Sequence, residues 1–306
     1  MRQAENPQGD LFPGLPRSSG GSLADANGAY DSSPVPPNVR KLGRHGRIRL
    51  GTSGYSFADW VGPFYPEGTP RSRMLDEYVA HFDVVEINSS YYRVPDARMF
   101  ERMCDKTPDG FEFVVKLYKG MTHDIEDDAS MYRAFVESVV PLREADKFGG
   151  YLAQFPWKFK NSPEARDHLA DLRDRFGDDP LFVEFRHDSW VRPEAFDLLR
   201  AIGLGYCSVD EPNLKGLVPP IVEATTETGY VRLHGRNAKN WWGKGGDRYD
   251  YDYNVGELSE WKEKLLALEE KVKKVYAFFN NCHAGHAARN AELMIEMLGE
   301  ELDGRL

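Results

Sequence analysis

The stretch LFVEFRH, residues 181–187, shows the pattern that decides the fold of this chain. An apolar run rich in aromatic and β-branched side chains ends in charged residues, as in a strand that leads from a core to a polar edge. Similar runs recur along the chain, at residues 48–54, 84–90, 111–117, 149–156, 205–210, 229–235 and 275–281. The sequence therefore predicts eight strands.

Longer amphipathic stretches separate these runs and predict helices. They lie near residues 71–81, 97–106, 130–146, 162–176, 193–202, 257–272 and 286–300. Eight strands that alternate with helices predict a parallel sheet closed into a TIM-type (β/α)₈ barrel. An open doubly wound sheet is the alternative. The segment GTSGYSFADW at residues 51–60, however, is not the GxGxxG loop that usually follows an early strand of that fold.

The barrel domain is predicted to span residues 47–302, and residues 1–46 form a separate segment. This N-terminal segment is rich in Gly, Ser, Pro, Asn and Asp. Such a composition buries too little apolar surface to offset the entropy lost on ordering. We therefore expect a disordered tail in front of the barrel.

The overall composition limits the classes of protein to which this chain can belong. The 306 residues are 41% hydrophobic and carry a net charge of −10, which suits a soluble protein and argues against a general nucleic-acid coat protein. The three cysteines, Cys104, Cys207 and Cys282, are far apart and do not have the spacing of a zinc site. With no apolar run of about 18 residues and no apolar leader, the expected location is cytoplasmic.

Polar side chains end most of the predicted strands, at the face where barrel enzymes place their sites. Because residues i and i+2 share one face of a strand, these side chains are expected to point into one mouth. The expected acidic residues are Glu86, Glu184 and Asp210, and the expected basic residues are Lys116, Arg186 and Arg232, together with His234. The alternative is a self-neutralising plug of ion pairs, although apolar side chains would fill the same space at a lower desolvation cost.

Acid–base chemistry is the predicted reaction type, since the sequence has no GxSxG nucleophile signature. The predicted catalytic residues are Glu86, Lys116, Glu184 and His234. The predicted substrate-binding residues are Asn88, Gln154, Arg186, Asp210, Arg232, Arg236, Trp241, Asn280 and Asn281.

A long connection, residues 234–254, follows the seventh predicted strand and is crowded with aromatic and basic residues, among them Trp241 and Arg236. Such a loop either closes over a substrate or packs as a rim on the barrel, and its composition suits stacking on a base, a sugar or another planar group. Both interpretations stay open.

A divalent metal at the mouth is left open, because carboxylates and His234 are suitable ligands while the neighbouring cations oppose a further positive charge. His283 and His286, three residues apart, are interpreted as surface or capping histidines because no carboxylate lies near them in the sequence.

Several motifs together resemble domain-of-unknown-function family 72, the YecE-like proteins. They are IRLGTSGYSFADW, FDVVEINSSYYRVP, FEFVVKLYKGMTH, GGYLAQFPWKF, VEFRHDSW, YVRLHGRN with RYDYDY, and YAFFNN. The resemblance runs from about residue 47 to residue 300 and implies a TIM-type barrel. It implies no particular reaction.

The tail contains QGDLF at residues 8–12, which resembles the pentapeptide with which bacterial repair and replication proteins bind the sliding clamp. In this interpretation Leu11 and Phe12 insert into a groove, Gln8 makes a directed hydrogen bond, and Asp10 stands at the position that takes Ser or Asp. The alternative is a chance match in a biased tail.

Two classes of function follow. The first is a hydrolase or lyase that acts on an anionic, phosphate- or sugar-bearing substrate, with nucleic acid favoured if the tail binds a clamp. A barrel enzyme for small molecules, unrelated to DNA, is a variant of this class. The second is a noncatalytic ligand-binding adaptor recruited through its tail.

Overall fold

Short buried segments of β-branched and aromatic residues form a closed parallel barrel. The computed structural model of the protein describes residues 44–243 and 246–303. The barrel strands are β2 (Ile48–Ser53), β3 (Val84–Ile87), β4 (Glu112–Lys116), β5 (Phe148–Gln154), β6 (Leu181–Glu184), β7 (Gly205–Asp210), β8 (Thr228–Leu233) and β9 (Lys274–Phe279). Each pairs in parallel with its neighbour in chain order, and β9 pairs back onto β2. The prediction of a (β/α)₈ barrel is confirmed.

A two-residue strand, β1 (Arg44–His45), precedes the barrel and pairs antiparallel with β2. It lies inside the segment predicted as a tail. The predicted clamp-binding peptide, residues 8–12, lies outside the described residues.

Amphipathic helices cover the barrel on its outside. They are α1 (Met74–Tyr78), α2 (Ala97–Asp105), α3 (Lys119–Thr122), α4 (Ala129–Ser138), α5 (Val140–Glu144), α6 (Pro163–Phe176), α7 (Pro193–Ile202), α8 (Val255–Glu269) and α9 (His286–Asp303). Helix α8 shows the local logic: Asn254 caps it through a reciprocal bond with Glu257, while Leu258, Trp261 and Leu265 bury its inner face. No helix within residues 44–243 and 246–303 is both long and apolar enough to cross a membrane.

The prediction of one continuous helix over residues 130–146 is wrong. The segment forms α4 and α5, which meet at Val139. Pro141 explains the break, because proline lacks the backbone N–H that a helix interior requires and disfavours helical backbone in the residue before it. The connection after β7, residues 211–227, contains no helix, which agrees with its many helix breakers.

Aromatic side chains fill the lower part of the barrel. The ring of Tyr230 lies 4.6 Å from that of Phe182 and 5.4 Å from that of Phe278, measured between centroids. Such packing excludes water from below, so the polar ends of the strands above form the floor of a site.

Candidate functional site

Arg232 of β8 is the centre of a buried ionic group at the mouth of the barrel. Its Nη1 lies 2.5 Å from Glu184 Oε2 and its Nη2 lies 2.6 Å from Glu86 Oε1. Tyr230 donates a further hydrogen bond to Glu86 Oε2 over 2.7 Å. Both carboxylates are fully buried. Arg232 thus satisfies two acidic groups, and they in turn fix its guanidinium.

Arg186, beyond the end of β6, extends this group on the side of β7. Its Nε lies 2.7 Å from Glu184 Oε1, and its Nη1 donates to Glu211 Oε2 over 2.8 Å. Although burial alone raises the pKa of Glu184, Arg186 and Arg232 hold that pKa well below its usual range. Burial and the neighbouring Glu184, against the opposing effect of Arg186, raise the pKa of Glu211 to about 7. The pKa values of Glu184 and Glu211, which both contact the Arg186 guanidinium, therefore shift in opposite directions.

Asp210 does not face the interior, so the expectation that it joins Glu86 and Glu184 there is wrong. Cys207 Sγ lies 4.0 Å from Glu184 Oε2, which shows that the odd-numbered residues of β7 point inward. The third acidic side chain of the mouth is consequently Glu211. Both faces of β7 are buried, so the alternation of polar and apolar residues does not show which of its residues point into the barrel.

His234, just beyond the end of β8, lies beside Glu184 and is fully buried. Its Nε2 is 3.2 Å from Glu184 Oε1, and Asn280 Nδ2 donates to its Nδ1 over 2.9 Å. Burial, together with Arg186, lowers the pKa of His234 to about 3. The imidazole is therefore neutral near pH 7 and holds Glu184 and Asn280 in place.

Lys116 of β4 differs from the other cations of the mouth. Its Nζ donates to the amide oxygen of Gln154 over 2.9 Å and lies 4.7 Å from the centroid of the Tyr91 ring. Burial and the positive charge of Arg232 lower the pKa of Lys116 to about 7. This amine can therefore gain or lose a proton near neutral pH, as acid–base catalysis requires.

Two adjoining cavities open above these groups. The first cavity, which encloses about 440 Å³ of space open to solvent, is lined by Asn88, Tyr91, Tyr92, Lys116, Gln154, Arg186, Arg232, Tyr249, Asn280 and Cys282. The second cavity, which encloses about 450 Å³ of space open to solvent, is lined by Tyr91, His123, Gln154, Trp157, Arg186, Leu217, Trp241, Trp242, Arg248 and Tyr249. Tyr91, Gln154, Arg186 and Tyr249 line both cavities, so the cationic side chains of the first adjoin the tryptophan rings of the second.

The connection after β8 contributes Trp241, Trp242, Arg248 and Tyr249 to the lining of the second cavity. Trp241 is almost fully buried, with the Arg186 guanidinium 5.6 Å from its ring centroid, whereas Trp242 is 42% exposed. The ring of Trp242 lies 6.0 Å from that of Trp157. Trp241 thus packs into the rim of the barrel, while Trp242 lies at the opening of the cavity.

A second ionic group joins Asp210, on the outward face of β7, to the β8–α8 connection and to α8. Arg236 Nε donates to Asp210 Oδ2 over 2.9 Å, its Nη2 donates to Glu260 over 3.0 Å, and Tyr253 donates to Asp210 over 2.7 Å. Gly235, with φ of +86°, makes the turn that sends Arg236 outward. We call Asp210, Arg236, Tyr253, Glu257 and Glu260 the outer network, and Glu86, Lys116, Glu184, Arg186, Glu211, Arg232 and His234 the inner cluster.

The predicted site residues therefore divide into three sets. Lining the cavities are Asn88, Lys116, Gln154, Arg186, Arg232, Trp241 and Asn280, while the fully buried Glu86 and Glu184 pair with Arg232, and His234 lies beside Glu184. Away from the cavities are Asp210 and Arg236 in the outer network and Asn281, which donates to Tyr251 O and to Asn290. Outside the described residues are Gln8, Asp10, Leu11 and Phe12.

Several cavity residues were not among the predicted site residues, notably Tyr91, Trp157, Arg248 and Tyr249. They lie in loops and short 3₁₀ helices beyond the strand ends, where strand periodicity carries no information. Their aromatic and basic character was the available signal.

The comparison with known protein families agrees with this architecture. A family described as "Protein of unknown function DUF72" matches residues 49–305. The chain belongs to the DUF72 family. The resemblance seen in the sequence motifs is thereby confirmed.

Relatives of this DUF72 chain cover nearly all of the barrel. UPF0759 protein YunF of Bacillus subtilis is 34% identical over 275 residues, which make up 84% of this chain and 96% of that protein. A solved DUF72 family protein from Thermotoga maritima is 40% identical, with a TM-score of 0.77, over 82% of this chain and 99% of that one. Another, from Enterococcus faecalis, is 29% identical, with a TM-score of 0.72, over 83% and 98%. These descriptions name no reaction for the DUF72 family.

Proposed function

We propose that the mouth binds an anionic, phosphate- or sugar-bearing substrate and acts on it as a hydrolase or lyase, with Lys116 as the acid–base group. The observation that carries this proposal is the position of Lys116, an amine with a pKa near 7 in the wall of a cavity that Arg186 and Arg232 also line. Groups whose proton affinity is tuned to the working pH, and which face a cleft, are typical of catalytic sites.

The carboxylates of the inner cluster have a supporting role in this proposal. Arg186, Arg232 and His234 contact the carboxylate of Glu184, and Arg232 and Tyr230 contact that of Glu86. Neither carboxylate is therefore available to a substrate. They hold the two guanidinium groups rigidly at the floor of the cavity. Fixed cations of this kind stabilise negative charge that develops in a transition state.

The two cavities suit two parts of one substrate. Arg186 and Arg232 attract an anionic group such as phosphate, and the amides of Asn88, Gln154 and Asn280 offer hydrogen bonds to hydroxyls. The rings of Trp157 and Trp242 offer a surface on which a sugar or a base stacks. Lys116, in its neutral form, would then remove a proton from water or from the substrate.

The test is a panel of labelled abasic, nicked, single-stranded and intact DNA, together with phosphorylated sugars, each with Mg²⁺, Mn²⁺, Zn²⁺ or EDTA. We expect turnover by the wild type that rises with pH through about 7, because a base must be deprotonated. Lys116→Met should abolish it. Lys264→Met is the matched control, since that lysine lies on α8, with its Nζ 4.6 Å from the centroid of the Trp261 ring, and lines neither cavity.

Ligand binding separates the enzyme from a noncatalytic adaptor. In an enzyme, Lys116→Met removes turnover while a substrate analogue still binds to Arg186 and Arg232. If no member of the panel is processed and every mouth variant loses binding in parallel, the adaptor is the better description.

Recruitment through the tail is a separate proposal, supported by the QGDLF sequence at residues 8–12. A tethered domain gains a high local concentration on DNA without any further contact. Pull-down of a bacterial sliding clamp by the full chain should be lost in Leu11→Ala/Phe12→Ala. Equal recovery of clamp with the variant would dismiss the motif and leave the barrel proposal intact.

A further inference from the structure

Two loops at the mouth bring three metal-ligand side chains together outside the inner cluster. Asp250 comes from the β8–α8 loop (residues 234–254), and His283 and His286 come from the β9–α9 loop and the first turn of α9. Their ligand atoms all lie within 4.8 Å of one another. No carboxylate lies near these histidines in the sequence. Asp250 reaches them from a loop that precedes α8 and β9, whereas the histidines follow β9.

The separations are those of neighbouring ligands on one cation. His283 Nδ1 is 3.1 Å and His286 Nε2 is 3.4 Å from the same oxygen, Asp250 Oδ1. A tetrahedral zinc site with bonds of about 2.0–2.1 Å places neighbouring ligand atoms roughly 3.4 Å apart. His283 is half exposed, so its ring can turn to bring its nitrogen to a similar distance from His286 Nε2.

The surroundings of His286 supply a second, independent indication. While Nε2 faces Asp250, Nδ1 lies 3.4 Å from Asp252 Oδ2. Asn290 Nδ2 in turn donates to Asp252 Oδ1 over 2.9 Å. A carboxylate behind a histidine, itself held by a hydrogen bond, is the usual support of a metal-binding imidazole.

Arg289 opposes this arrangement. Its Nη2 donates to His286 Nδ1 over 2.7 Å, which keeps the proton of the neutral ring on Nε2, the nitrogen that would bind the cation. Metal binding therefore requires Arg289 to leave and Nδ1 to donate to Asp252 instead. The Arg289 side chain is 40% exposed, so it can move into solvent.

We propose that Asp250, His283 and His286 bind one divalent transition-metal cation such as Zn²⁺, with water at the remaining positions. Two imidazoles and one carboxylate favour zinc and its neighbours over Mg²⁺ and Ca²⁺, which prefer oxygen ligands. Because Tyr249 and Arg248 line the cavities next to Asp250, the cation would tie that wall of the mouth to the start of α9.

The experiment uses untagged full-length protein, stripped with EDTA and titrated with ZnCl₂ by calorimetry. Co²⁺ absorption reports the coordination geometry. We expect one equivalent with a Kd on the order of 10 µM or tighter. His283→Ala and Asp250→Asn should each weaken binding about tenfold or more, and Arg289→Ala should tighten it. Mg²⁺ should not compete.

His81→Ala is the matched control, because that imidazole is also half-buried and paired with a carboxylate, Glu292. Its zinc affinity should equal that of the wild type. Urea unfolding of each variant without metal checks that the substitutions leave the fold intact. Unchanged zinc binding in His283→Ala/His286→Ala, or loss of binding in Cys104→Ser, would overturn the proposal.

Discussion

The inner cluster and the outer network lie on opposite sides of the barrel wall near the ends of β7 and β8, yet their surroundings differ. In the outer network each charged group meets a protein partner: Arg236 has Asp210 and Glu260, and Asp210 also has Tyr253. In the inner cluster Arg186 and Arg232 face a cavity, and Lys116 bonds to an amide rather than to a carboxylate. Ionic residues at one end of the barrel thus fall into two groups, and only the inner cluster borders open space.

Removing Arg232 should have the largest effect on stability. Arg232→Ala leaves Glu86 and Glu184 buried without their shared partner, so we expect a loss of about 3–5 kcal/mol in the free energy of unfolding. Arg236→Ala should cost only about 1–2 kcal/mol, because Arg236 is a quarter exposed and Asp210 keeps Tyr253. Urea denaturation measures both, and equal losses would contradict the comparison.

Lys116→Met should stabilise the protein below neutral pH. The folded-state pKa of Lys116, about 7, lies below its ordinary value of 10.5, so folding opposes its charged form. That penalty is complete below pH 7 and is relieved as the pH rises toward 10.5. Between pH 7 and pH 9 the wild type should therefore gain about 2 kcal/mol relative to Lys116→Met. Parallel stability curves for the two proteins over this range would refute the assignment.

Glu211→Gln should remove a pH dependence of the opposite sign. The folded-state pKa of Glu211 is raised to about 7 from 4.5, so its ionisation costs no stability below pH 4.5 and its full penalty is reached above pH 7. Relative to Glu211→Gln, the wild type should lose stability between pH 5 and pH 7. Thermal unfolding at several pH values tests this, with Glu223→Gln on the surface as the control.

Asp210→Asn should have the smallest effect of the four. The amide keeps one oxygen to accept from Tyr253 or Arg236, so we expect a loss of about 1 kcal/mol in the free energy of unfolding. Binding of an anionic ligand at the mouth should not change, because Asp210 lines neither cavity. A drop in ligand affinity as large as that of Arg186→Ala would show that the outer network acts on the site.

The strand ends could be predicted because they depend on local sequence. Glu184 and Arg186 follow an apolar run, and the i, i+2 rule places them on one face, as it does Arg232 and His234. The same rule was insufficient for β7. Ser208 and Asp210 share a face as predicted, but there Ser208 accepts from Glu223 N and Asp210 from Tyr253, and Glu211 takes the inward position.

The sequence by itself determined the barrel, because eight apolar runs alternating with amphipathic stretches allow few other closed arrangements. It also determined that the strands end in charge. Only the tertiary structure decided which charges share a cavity, since strand phase is set by packing on both faces rather than by local pattern. The meeting of Asp250 with His283 and His286 was decided in the same way, because loops distant in sequence are joined only when the barrel closes.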